Sequence, residues 1–355
     1  MKKPDLIKKL LLLSLLAGFG SLCGIPAQAE TDAFKPPHAE TLPDTPFDAP
    51  PGTWTLVVLP DTQYYTEKYP KVFMRQTEWI AANKKKRDIR FVVEEGDVTN
   101  NNTPTQWQRA RKAFDVLNKA GVPWLLVPGN HDTGPQHGGK TKDRSTLLND
   151  YFTAKDYAGP EAAGFFEEGK MENSWREFSS PTGKFLVVGL EFGPRDEVLA
   201  WANRVVADHP DDKVIVLTHS YLDYNDTLSE SPKKYPFAKT GSVNGGREMW
   251  EKFVSKHPGI HFVLSGHICR DGTGYLASKG AGGQTVHQIL ANYQDSPLRL
   301  HGPGVVEPHR GWGGGGYLRL MEFAPDGKTV AIKTYSPWYD KWLSDADQSF
   351  TVKMD

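Results

Sequence analysis

The chain has 355 residues, 24% of them charged, and a formal net charge of −1. That balance argues against a broad basic surface of the kind that grips nucleic acid, so no nucleic-acid partner is expected. From Thr53 to about Lys353 there is no composition break, no internal repeat and no membrane span, which fits one large core or one domain with insertions.

The first residues predict a targeting segment. Lys2, Lys3, Lys8 and Lys9 precede an apolar run, Leu10–Leu22, that is too short to span a bilayer comfortably, and Ala27-Gln28-Ala29 offers a small-x-small cleavage site. Residues 1–29 therefore read as a secretory signal peptide. The expected location is periplasmic or extracellular, with no stable membrane anchor. Cys23 offers an acylation site instead, but bulky Leu22 precedes it where a small residue is expected. Loss of the leader removes four Lys and one Asp, taking the net charge to about −4. The processed chain keeps one cysteine, Cys269. Residues 30–52 contain six prolines and little apolar bulk, and read as an extended linker before the 53–355 domain.

The domain alternates strands and helices. Thr53–Leu59 is an apolar run ending at Pro60-Asp61. The spacing of Val72, Phe73, Trp79 and Ile80 predicts a helix over Lys71–Asn83. Ile89–Val93 is the next strand, ending at Gly96-Asp97. Thr103-Pro104-Thr105-Gln106 predicts a helix start, with Thr103 capping, Pro104 in the first turn and Gln106 reaching back; Gly121 ends the helix. Strand Trp124–Val127 closes a β-α-β-α-β run of neighbouring parallel strands. A helix is expected around Ser145–Phe152, a strand pair at Trp175–Phe178 and Lys184–Leu190, and a helix over Pro194–Ala207. Strand Val214–Leu217 ends at Thr218-His219. A helix over Gly246–Lys256 and strand Ile260–Leu264, ending at Gly266-His267, come next. Tyr275–Ala277, Thr285–Ala291, Tyr317–Phe323 and Thr329–Thr334 read as consecutive antiparallel strands. Lys84–Arg87 reads as a solvated helix end. The whole fits two sheets packed face to face and flanked by helices.

Asp61, Asp97, Asn130, His219 and His267 each sit at the carboxyl end of a predicted strand, the edge where α/β ligand sites assemble. Carboxylate, amide oxygen and imidazole suit divalent Mn, Fe or Zn. Each residue alone has a structural reading, since Gly-Asp is a common turn and a buried His is commonly a core residue. Five such residues on five successive strand ends are hard to explain by turn chemistry. Gly129-Asn130-His131-Asp132 also places a ligand, a proton donor and a carboxylate on one loop tip.

These pieces, namely Asp61-Thr62-Gln63, Gly96-Asp97-Val98-Thr99-Asn100, Gly129–Asp132, Thr218-His219 and Gly266-His267, resemble the calcineurin-like metallophosphoesterases. The resemblance implies a four-layer α/β/β/α sandwich and two divalent metal ions. It implies that Asp97 bridges them, that Asn130, His219 and His267 complete the second site, and that Asp61 holds the first. It further implies that His131, with Asp132 beside it, supplies the proton for the leaving oxygen. The reaction implied is hydrolysis of a phosphomonoester or phosphodiester by a metal-bound hydroxide. Asn100 and Asn101 are candidates for substrate contact, and Tyr64, Tyr65 and His309 for the cleft wall. The variable loops Thr133–Gly183 and Tyr221–Asn244 are expected to set the substrate.

The chain departs from the family pattern twice. Asp61-Thr62-Gln63 stands for Asp-x-His, and Gly266-His267-Ile268-Cys269 for Gly-His-x-His; both changes fall on the first metal. Three readings stand: Gln63 and Cys269 replace the histidines, Asp271 or His287 fills the gap, or the first site is weak or empty. Cys269 has a second reading as a small buried hydrophobe. The Asp-Thr-Gln form, with Ala291-Asn292-Tyr293-Gln294 and a Gly-rich turn, resembles a secreted bacterial subgroup. The alternative to an enzyme is a single-metal protein that binds a phosphorylated ligand with little or no hydrolysis.

Overall fold

Six consecutive buried residues, Trp54–Leu59, form strand β1, and a strand buried on both faces needs cover on both. The computed structural model describes residues 51–135, 138–269, 272–294 and 313–355. The expected leader, the linker up to residue 50, Asp271 and His309 lie outside the described residues. After β1 come α1 (Gln63–Glu67), α2 (Pro70–Asn83), β2 (Ile89–Glu94), α3 (Pro104–Lys119) and β3 (Trp124–Leu126). The middle carries α4 (Leu148–Tyr151), β4 (Ala163–Phe165), β5 (Ser174–Ser180), β6 (Gly183–Leu190), α5 (Asp196–Ala207) and β7 (Lys213–Thr218). Then follow α6 (Gly246–Lys252), β8 (Ile260–Ser265), β9 (Thr273–Lys279), β10 (Thr285–Ala291), β11 (Leu318–Phe323), β12 (Thr329–Ser336), β13 (Lys341–Leu343) and β14 (Phe350–Lys353).

The strands form two sheets. One runs β13-β12-β11-β1-β2-β3, with β14 also on β12; the other runs β4-β5-β6-β7-β8-β10-β9. β1, β2 and β3 are parallel neighbours, as the β-α-β-α-β pattern predicts, and β6, β7, β8 and β10 are parallel in the second sheet. Side-chain alternation builds the layers. On β6, Phe185 and Val187 join the core between the sheets, whereas Leu186, Val188 and Leu190 pack with Val198, Ala202 and Val205 of α5 and Met249 of α6. Helices α2 and α3 cover the other face of the first sheet, where Trp79 meets Tyr335 and Phe114 meets Trp124. The result is α/β/β/α.

Several expectations need correction. The four late strands are not one antiparallel run: β10 pairs β9 antiparallel and β8 parallel, and the chain then crosses to the first sheet, where β11 lies antiparallel to β1 and β12. The middle helix is only Leu148–Tyr151, and the helix from Gly246 stops at Lys252. Thr103 makes no side-chain cap; Gln106 Oε1 instead accepts the Asn101 N–H at 2.8 Å, tying the helix to the loop before it. Arg87 is not solvated. It is fully buried, 2.6 Å from Glu322, with Trp79 and Trp342 against its guanidinium.

Trp54 anchors the layer between the sheets. Its ring stacks on Phe323 at 4.0 Å and meets Phe185 and Phe178 edge-on. Trp54→Ala is expected to cost about 3–5 kcal/mol, read as a lower urea midpoint; an unchanged midpoint would remove Trp54 from that role.

Candidate metal centre

The chain has to turn sharply where each strand hands its ligand to the edge. Asp61 follows β1 with φ 33°, Asp97 follows β2 with φ 54°, and His267 follows β8 with φ 73°. A positive φ is uncommon outside glycine, although Asp and His adopt it more readily than most, and such conformations gather at functional sites. Two glycines permit close approach. A Cβ on Gly129 would lie 2.1 Å from Asp97 Oδ1, and one on Gly266 would lie 2.3 Å from Asp61 Oδ2.

Four side chains converge. His219 Nε2 lies 3.2 Å from Asp97 Oδ2, 3.1 Å from Asn130 Oδ1 and 3.1 Å from His267 Nδ1. The ligand atoms of Asp97, His219 and His267 all lie within 4.8 Å of one another. The other ring nitrogens are held from behind. Glu95 O accepts from His219 Nδ1 at 2.9 Å, and Ser231 Oγ sits 2.8 Å from His267 Nε2. A proton on each outer nitrogen leaves an inward lone pair on both rings. Asn130 is oriented the same way, since its Nδ2 donates to Gly139 O at 3.2 Å and so turns Oδ1 inward. Phe192 and Tyr235 wall the imidazoles, with Phe192 5.6 Å from His219 and 5.3 Å from His267.

The electrostatics fit a cation. Burial and the nearby Asp97 and Glu95 push the Asp61 carboxyl well above its usual range. Burial also opposes ionisation of Asp97, but His219 and His131 outweigh it and hold it at about 2. Burial, with His219 alongside, drives His267 down to about 3. Neighbouring acids thus titrate far apart, and a divalent ion would favour ionised carboxylates and neutral imidazoles together. Gln63 adds a further test: it is fully buried, and neither amide atom has a hydrogen-bond partner among the described residues. A buried amide left open in this way is a candidate ligand.

The remaining candidates fall in different places. His131 is 9% exposed; its N–H donates to Asp97 Oδ1 and its Nδ1 bonds Asn100 O, both at 2.8 Å. Asp132 lies apart from the donors. Its oxygens accept from the N–H groups of Val98, Thr99 and Gly129 and from Thr99 Oγ1, stapling the loop after β2 to the loop after β3. Burial and Asp97 raise its carboxyl to about 6. Asn100 contributes its carbonyl to His131, while Asn101 Nδ2 bonds Glu67. Cys269 Sγ lies near the amides of Gln294 (3.3 Å) and Asn292 (3.8 Å), outside the Asp97–His219–His267 group. His287 is spent elsewhere, on Tyr275 OH and Lys353 O. Tyr65 is buried and accepts from Gly316 N–H, so it packs the Gly-rich lead-in to β11. Ser231 and Tyr235 were not legible in the sequence: their loop has no periodicity, and Ser is too common to signal a role.

Comparison with known proteins identifies the family. Residues 55–271, more than half of the chain, match the model of the calcineurin-like phosphoesterases. The chain is 32% identical over 303 residues to YvnB of Bacillus subtilis (strain 168), described as uncharacterised; the match covers 83% of this chain but only 21% of that protein. Among solved structures, a dimetal phosphatase of Danio rerio is similar at 14% identity and TM-score 0.47, over 85% of this chain and 99% of that one. A purple acid phosphatase from yellow lupin (Lupinus luteus) seeds is similar at 14% identity and TM-score 0.48, over 87% and 55%. With the strand-end motifs inside the matched span, the chain belongs to the calcineurin-like phosphoesterase family.

Proposed function

We propose that this chain is an exported, metal-dependent phosphoesterase that hydrolyses a phosphomonoester or phosphodiester, with a divalent dimetal centre as the family implies. The observation that carries the reading is the convergence of Asp97, Asn130, His219 and His267 beside His131. Asn130, His219 and His267, with Asp97 shared, would hold one ion; Asp61 and Gln63 would serve the other. Divalent ions held there would polarise a phosphoryl group and ease ionisation of an attacking water.

The chain's own groups do the rest. The Nδ1–H bond to Asn100 O fixes the His131 ring, so that the doubly protonated imidazolium would hand its Nε2 proton to the leaving oxygen and stay neutral with its Nδ1 proton in place. Asp132 keeps the loops of Asp97 and His131 in register without touching the donor cluster. Phe192 and Tyr235 exclude water from one side of the imidazoles. The second reading, a single-metal protein that binds a phosphorylated ligand, draws on the missing histidines at Gln63 and Cys269. A proton donor at His131 has no use in it.

An assay on aryl phosphomonoesters and phosphodiesters, run with metal analysis of the same protein, separates the two readings; bound metal without turnover favours the second. His131→Ala is expected to keep its metal and lose about 10²–10⁴-fold in rate, most on alkyl esters with poor leaving groups. Full activity on an alkyl phosphate would sink the general-acid role. Asn130→Ala, His219→Ala and His267→Ala should each abolish turnover and lower metal content, and normal content by elemental analysis would contradict the ligand set. Ser231→Ala should weaken metal retention about 10–100-fold, measured by competition with a chelator; unchanged retention would leave Ser231 a mere neighbour of His267.

A further inference from the structure

Around the carboxyl ends of β1 and β2, three buried side chains have polar atoms with no hydrogen-bond partner among the described residues. Gln63 has neither amide atom bonded, Glu95 has a free Oε2 at 1% exposure, and Arg319 has a free Nη1 at 2% exposure. The other guanidinium nitrogens of Arg319 are used: Nε donates to Tyr293 OH at 2.7 Å and Nη2 to Asp347 O at 2.9 Å. Leaving such groups dry and unpaired in a core is costly, so something is expected to fill the space.

Glu95 lies close enough to Asp61 for its charge to act on that carboxyl. Its N–H bonds Leu59 O, continuing the β2 ladder, and Phe91 earlier on the same alternate row stacks on Phe178 of the other sheet. Residue 95 therefore faces the layer between the sheets. Its carbonyl is 2.9 Å from His219 Nδ1, and Asp61 Oδ1 is 3.6 Å from that same nitrogen. Arg319 pairs with Val58, at the end of β1 just before Asp61, and its charge opposes the effect of burial on Glu95. Gln63 starts the helix two residues after Asp61. The second position offers two imidazoles, whereas Asp61, Asp97, Glu95 and Gln63 offer only oxygen donors, with the Gln63 amide bonding through Oε1.

We propose that Glu95 is a ligand of the first cation position, completing with Asp61, Asp97 and Gln63 an all-oxygen site that selects a hard divalent ion such as Mn²⁺ beside the imidazole-bearing second position. This deepens the phosphoesterase reading and rests on its cation centre. The two positions differ in kind: one suits Mn²⁺ or Mg²⁺, the other Zn²⁺ or Fe²⁺. Arg319 balances the extra carboxylate from below.

The test uses the full chain, stripped with a chelator and titrated with Mn²⁺ and Zn²⁺. Calorimetry and the paramagnetic signal of free Mn²⁺ follow binding without any turnover assay. The expected pattern is reciprocal. Glu95→Gln loses the Mn²⁺ equivalent and keeps Zn²⁺, whereas His219→Ala loses Zn²⁺ and keeps Mn²⁺. Gln63→Leu should weaken Mn²⁺ binding and raise the thermal midpoint of the stripped protein, because it removes an unpaired buried amide. Gln63→Leu also decides the matter if Glu95→Gln fails to fold: unchanged Mn²⁺ affinity and midpoint overturn the proposal. Mn²⁺ binding by folded Glu95→Gln with wild-type stoichiometry and affinity overturns it as well, and assigns the open atoms to water. Wild-type protein that binds only Zn²⁺ overturns the inference and leaves the phosphoesterase reading standing; wild-type protein that binds neither ion sinks both.

Discussion

Asp97 is the point on which the site depends. One oxygen accepts the backbone N–H of His131, from the loop after β3, and the other faces His219, from the end of β7 in the opposite sheet. A single carboxylate thus spans two strands of one sheet and the edge of the other. Shifting either sheet by an ångström would separate donors that now lie within 4.8 Å of one another. What prevents the shift is the apolar layer between the sheets, where Trp54, Phe91, Phe178, Phe185 and Phe323 interlock at close-packed density. The core is therefore part of the chemistry: it holds acids and imidazoles together against burial and mutual repulsion.

That arrangement carries strain. Three of the candidate ligands, Asp61, Asp97 and His267, have left-handed backbones, each costing on the order of 1–3 kcal/mol. The strain persists because the surroundings over-determine the turns. Asp132 fastens the loop after β2 to the loop after β3 with bonds to Val98, Thr99 and Gly129. The His267 N–H donates to Asp61, which links the ends of β8 and β1 across the cleft. Side-chain orientation is fixed by the same economy of contacts: Glu95 O behind His219, Ser231 behind His267, Gly139 O behind Asn130. A cation arriving at such a site meets donors already turned inward, and little ordering entropy is left to lose on binding.

Much of this was legible in the residues. Parallel strands buried on both faces are apolar runs, so β1, β2, β3, β7 and β8 announced themselves, and their ends carried the candidate ligands. The partly covered edge strands did not: β4 and β13 have three residues each and show no alternation, whereas the equally short β3 is fully buried and reads as an apolar run. Arg87 was misread because a charged run at a helix end looks solvated, whereas Glu322, far along the chain, supplies a buried partner. Nothing in the sequence marks Glu95, which stands between a strand and Gly96-Asp97. Only the fold shows that it is buried and that one of its oxygens has no hydrogen-bond partner among the described residues. Asp132 looks chemical in the sequence because it adjoins His131, and the fold adds four donors that make it a staple between two loops.

The loop after β7 packs directly on the candidate metal centre. Ser231 touches His267, Tyr235 packs against Phe192 and His267, and Phe237 packs against Phe192 and under the guanidinium of Arg144. Arg144 in turn donates to the carbonyls of Phe192 and Gly193, so the loop after β3 and the loop after β7 brace the same aromatic wall. A change in that wall cannot be confined to the outer surface of the cleft, because Phe192 lies against both imidazoles. Residues that would discriminate between phosphate esters here also set how the ligands sit. The loop is thus constrained from inside at Ser231, Tyr235 and Phe237, and room to vary remains at its exposed positions, such as Lys233, Lys234 and Lys239.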